Sequence, residues 1–78
     1  MNVIERDAQR LELRAKIMKW PARLKKLASR AQDPLSERQF CLKHDIPLHG
    51  FNRIKNLHNE PRQKKVDQIE AALAAEGV

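Results

Sequence analysis

Cysteine, glycine and aromatic residues are scarce in this chain, and long apolar runs are missing. A lone cysteine, Cys41, rules out an internal disulfide and a cysteine metal cluster; the expected role of Cys41 is to fill a small buried space. There is no tyrosine, and Trp20, Phe40 and Phe51 are the only large rings. That is a poor supply for a surface that stacks single-stranded RNA bases. Two glycines, four prolines and few β-branched residues argue against strands and tight hairpins, so the fold class expected is all-α. No apolar run approaches the roughly 20 residues needed to span a bilayer. Residues 1–7 lack the charged-then-apolar layout of a signal peptide, and a cytoplasmic location is expected.

Catalytic constellations are missing too. His44, His49 and His58 are five and nine residues apart, which does not put two ligands on one helical face. No glycine-rich phosphate loop occurs, and no serine has a plausible base. Asp45 and Glu60 have no paired carboxylate suited to acid–base work. We therefore expect no enzyme activity, no metal and no cofactor.

What the chain does have is positive charge. Sixteen Lys and Arg against ten Asp and Glu give a formal charge of +6 over 78 residues. Such an excess suits a polyanionic partner, either nucleic acid or an anionic membrane. The length makes one domain, and a domain this small buries only about 60% of its unfolded surface. Association with a second copy would add what the core lacks.

Residues 3–19 read as an amphipathic helix. Ile4, Ala8, Leu11, Ala15 and Met18 recur at spacings of four and three, and Leu13, Ile17 and Trp20 form a neighbouring apolar line. The main stripe has three destinations: its own domain, the same helix of a second chain, or a membrane surface. Glu5, Asp7 and Glu12 argue against the membrane. In the second case Ile4, Leu11 and Met18 make the dimer contact. Pro21 lacks an N–H and ends this helix, yet it suits the first turn of the next. That second helix is expected to run to about Ala31, with Leu24, Leu27, Ala28 and Ala31 inward. Gln32 to Leu35 then connect to Ser36.

Residues 36–56 read as two short helices joined by a tight turn. Ser36 is a good N-cap. Phe40 and Cys41 form an apolar pair one turn in, Asp45 makes the turn, and Ile46 follows it. Phe51 and Ile54, three apart, face one way on the second helix. The last helix is expected to start at Pro61, bury Val66, Ile69, Ala72 and Leu73, and end at Gly77.

The sequence of types at Ser36, Phe40, Cys41, Ile46, Phe51 and Ile54 resembles the Cro/repressor-like helix-turn-helix proteins, the xenobiotic-response-element family. The likeness continues through Pro61, Val66, Ile69 and Leu73. It implies a lambda-repressor-like helix-turn-helix domain of about five helices. Residues 1–20 would be an extra N-terminal amphipathic helix and residues 21–78 the DNA-binding domain. The family usually has Gly where Asp45 and Leu57 stand, and an aliphatic residue at His44. Aspartate tolerates the left-handed turn conformation. For Leu57, we expect Asn59 to take the left-handed cap instead.

By the same resemblance, Leu48, His49, Asn52 and Arg53 occupy the base-reading positions. Charge and position add phosphate contacts at Ser36, Arg38, Gln39 and Lys43 on the first motif helix. Lys55, Asn56 and Asn59 serve the far end of the second. Arg62, Lys64 and Lys65 surround the start of the last helix, whose N–H groups favour an anion. The function expected is sequence-specific DNA binding by a homodimeric transcriptional repressor on a palindromic operator, of the phage or mobile-element type. The alternative is an antitoxin or adaptor that grips a partner protein, such as a toxin, through the N-terminal helix.

Overall fold

The computed structural model describes residues 3–58 and 60–78. Among these residues five α-helices follow one another: α1 (Val3–Met18), α2 (Trp20–Ala28), α3 (Glu37–Lys43), α4 (Leu48–Lys55) and α5 (Gln63–Ala75). No strand occurs among the described residues, as the composition implies. The molecule is elongated, 45 × 20 × 18 Å. No described helix is long and apolar enough to cross a membrane.

The core forms around Trp20. Its ring is fully buried and stacks on Phe51 at 5.8 Å with 12° between planes. Phe51 in turn meets Phe40 edge-on at 6.1 Å. Leu13, Ile17, Leu27, Ile46, Val66, Ile69 and Leu73 close the cluster, with Leu24, Leu35 and Ile54 packed at its margin. Cys41 is buried in it, and burial, with Glu37 nearby, pushes its thiol above the ordinary range. A protonated, enclosed thiol is unreactive, in keeping with a packing role.

α1 and α2 are separated by Lys19 alone, and Pro21 lies in the first turn of α2. The one-residue break aims Trp20 inward. It also decides which apolar line of α1 is buried. Leu13 and Ile17, in line with Trp20, enter the core, whereas Ile4, Leu11 and Met18 stay 79%, 68% and 74% exposed. The main stripe thus does not fold back on its own domain. α1 instead packs its other side against α2, α4 and α5, so residues 3–20 share one core with the rest.

Several boundaries differ from expectation. α2 stops at Ala28, and Ala28 and Ala31 are exposed. The Ser29 hydroxyl donates to the Lys25 carbonyl at 2.7 Å and helps end the helix there. α4 begins at Leu48 with Pro47 as N-cap, and α5 begins at Gln63 with Arg62 as N-cap, two residues after the expected start at Pro61.

Three helices end in the same way. After α3, Asp45 takes φ 56°, and the Ile46 N–H donates to the Cys41 carbonyl at 2.8 Å. After α4, Leu57 takes φ 57°, and the His58 N–H donates to the Arg53 carbonyl at 3.0 Å. After α5, Gly77 takes φ 76°, and the Val78 N–H donates to the Leu73 carbonyl at 3.2 Å. Each is a Schellman closure, with one left-handed residue just past the helix. The left-handed residue after α4 is therefore Leu57 itself, two positions before the expected one; Asn59 lies outside the described residues. A leucine in this conformation costs roughly 1–2 kcal/mol.

Two carboxylates, on α5 and just past it, tie the C-terminal part of the chain to α2 and α3. Glu70 accepts from Trp20 Nε1 at 2.8 Å and from Arg23 Nη1 at 2.6 Å. Burial alone would raise its pKa; those two bonds, together with the charges of Arg23 and Lys16, outweigh burial and hold it below the ordinary value. Glu76, whose side chain is 5% exposed, takes Lys43 at 2.8 Å, Arg30 at 3.2 Å and His44 at 2.6 Å. An ionised carboxylate only accepts, so His44 donates through Nε2. This gives the histidine at the unusual inner position a partner on the C-terminal turn. Phe40 covers the other side of its ring at 5.0 Å.

The Lys43 bond foremost, then those from His44 and Arg30, bring the Glu76 pKa down from 4.5 to about 2. A depressed folded-state pKa adds stability above the unfolded value, and that stability is lost as pH falls from about 4.5 toward 2. Glu76→Gln is expected to lose about 1–2 kcal/mol at neutral pH, since Lys43 is half in water and its share is screened. The variant should also show a flatter stability profile across that acid window. Urea titrations of both proteins at neutral and acidic pH check this.

A candidate nucleic-acid interface

α3 starts on a capping box. Ser36 Oγ accepts from the Gln39 N–H at 3.2 Å, and Gln39 Oε1 accepts from the Ser36 N–H at 2.9 Å. Both side chains are thereby committed to the helix start. Phe40 and Cys41 face the core, leaving Arg38 and Leu42 outside. The turn through Asp45 buries Ile46 and hands the chain to α4 at Pro47.

α4 has one buried residue, Phe51, with Gly50 and Ile54 half-buried beside it. At about 100° per residue, Leu48, Asn52, Asn56, His49 and Arg53 fall in that angular order over about 140° of the opposite side. Leu48, His49, Arg53 and Asn56 are exposed and Asn52 is half-buried. All four expected base-reading residues thus share one side of one helix, and the stacked pair Phe51–Trp20 fixes its rotation.

The expected phosphate contacts are more scattered in their condition. Arg38, Asn56, Arg62, Lys64 and Lys65 are exposed. Lys55 is ion-paired to Glu37 at 2.7 Å and braces α4 against α3. Lys43 is held by Glu76, as above. Asn59 lies outside the described residues. Arg38 and Leu48 border one shallow hollow at the turn between α3 and α4.

Two residues outside the expected set stand beside α4. Arg6 and Arg10 of α1 line a cleft together with His49 and Arg53. The signal for them was present but easy to miss. They continue, at spacings of four and three, the line that carries Leu13 and Ile17 inward.

The site gathers hydrogen-bonding side chains on one helical side with cations around it, which suit recognition. Compared with protein-family models, with curated proteins and with solved structures, the chain matches none.

Proposed function

We propose that this chain is a sequence-specific DNA-binding regulator of transcription. In this reading α3, the turn at Asp45 and α4 form a helix-turn-helix of the Cro/repressor-like type, within a lambda-repressor-like domain. α4 enters the major groove, and Leu48, His49, Asn52 and Arg53 meet base edges. Arg38, Asn56, Arg62, Lys64 and Lys65 contact the backbone and set register without reading sequence. The observation that carries the reading is the shared side of α4, opposite a buried Phe51.

The regulator acts as a homodimeric repressor on a near-palindromic operator. The exposed stripe of Ile4, Leu11 and Met18 supports this, because a helix face that is apolar and unburied in one chain suits a two-fold contact with its copy. The same stripe favours the second reading, an antitoxin or adaptor that holds a protein partner by α1.

Binding to a labelled duplex, followed by anisotropy over a series of salt concentrations, tests the proposal. Each phosphate neutralised contributes about −0.9 to the slope of log affinity against log salt. A slope of several units is expected. A flat response would leave the basic surface without this role.

A further inference from the structure

α1 changes character along its inner line. Leu13 and Ile17 are buried in the core, but Arg10 and Arg6, one and two turns earlier on the same line, are exposed. They overhang a cleft of about 700 Å³ between α1, α4 and the start of α5. Arg53, Arg62 and Lys65 line its other walls, and Glu60 is the acid at the rim, 2.5 Å from Arg10. Gln9 donates to Gln63 Oε1 at 2.9 Å and ties α1 to α5 alongside it. Five cations therefore share one cleft with one carboxylate.

The cleft carries more cations than carboxylates, which gives it a positive potential. Like charges brought together repel, and apolar residues at positions 6 and 10 would extend the core instead. A ligand carrying several negative charges removes the repulsion. The cleft volume lies within the range of about 300–1,000 Å³ typical of ligand sites. α5 also opens onto the cleft with no side-chain cap and no acid in its first turn, which adds to its positive potential.

We propose that this cleft binds a run of adjacent phosphate groups. They come either from the backbone of a duplex seated on α4 or from a free polyphosphate. The first source rests on the regulator reading; the second does not. In both, α1 is part of the ligand-binding surface and not only a candidate contact between copies.

The test uses the whole chain and two probes: inorganic tripolyphosphate by calorimetry and a labelled duplex by anisotropy. The variant is Arg6→Gln with Arg10→Gln, two cleft residues outside the contacts assigned to α3, α4 and α5. Its charge-matched control is Lys25→Gln with Lys26→Gln, two exposed positions on α2. We expect the cleft variant to lose at least tenfold in affinity for one probe or both, with its thermal midpoint unchanged or slightly raised at low salt. The control should keep both affinities within about twofold. If the phosphates are the duplex's, tripolyphosphate displaces duplex, and the variant's salt slope shrinks by about two units, roughly one per cation removed. If they are free polyphosphate, both probes bind together and the variant's duplex affinity is unchanged. The inference is overturned if the cleft variant keeps both affinities, or if the control loses as much. Failure of the regulator reading looks different: no duplex binding at all, with tripolyphosphate still bound and sensitive to the variant.

Discussion

Trp20→Ala is expected to unfold most of the protein at room temperature. The indole is fully buried, where the chain breaks between α1 and α2. It stacks on Phe51 at 5.8 Å and donates to Glu70 at 2.8 Å. Truncation removes the centre of the aromatic cluster and leaves a cavity that four helices cannot close together. Such a change costs about 3–5 kcal/mol. A core of this size rarely supplies more than about 3–5 kcal/mol in total, so little stability would remain. Glu70 would also lose one of the two donors that keep it ionised beside Arg23. Trp20→Phe keeps most of the packing and loses the hydrogen bond, for about 1–2 kcal/mol. Far-UV circular dichroism with urea titration separates the two variants. A midpoint for Trp20→Ala close to that of the parent protein would mean that the core is built around something else.

Arg53→Ala is expected to weaken operator binding by roughly 1–3 kcal/mol in each half-site and to relax selection at one base pair. Arg53 lies on the exposed side of α4, across the helix from the buried Phe51. A guanidinium meets O6 and N7 of guanine with two parallel bonds, a geometry that lysine cannot copy. A guanine opposite Arg53 in each half-site follows, and Arg53→Lys should recover only part of the loss. Lys64→Ala is the comparison: its position in the first turn of α5 suits a backbone contact, so all sequences should weaken about equally. Equal losses for specific and random duplexes in Arg53→Ala would make Arg53 a backbone contact too. His49 would then be the next residue to test.

Local features were legible in the sequence because their chemistry is local. Ser36 caps α3, and Asp45 accepts a left-handed turn; that Gln39 completes a capping box and is not free for a phosphate was not read from the sequence. The burial of Phe40, Phe51, Val66 and Ile69 follows from helical spacing. The orientation of α1 was harder. Two apolar lines run along it, and spacing alone does not say which one faces in; the break at Lys19 and the placement of Trp20 settle it. Leu57 was hidden for another reason. A leucine past a helix end gives no sign that it will take the conformation favoured by glycine, and here the hydrogen bonds of the closure outweigh the strain. Glu76 and its three side-chain partners join residues 32 to 46 positions apart, which no periodicity reports. The same holds for Arg6 and Arg10, whose meeting with Arg53 and Arg62 is a product of tertiary packing. The side of α4 was legible as a set of residue types; its common orientation depended on Phe51 being held by Trp20.

Selection of bound sequences from a pool of random duplex DNA tests the central claim most directly. A sequence-specific homodimer predicts strong enrichment of one two-fold symmetric consensus. Its half-sites should be about 10 base pairs apart, one turn of the double helix, or a multiple of that, with a guanine in each. No enrichment over the starting pool would contradict the claim, whatever the strength of non-specific binding.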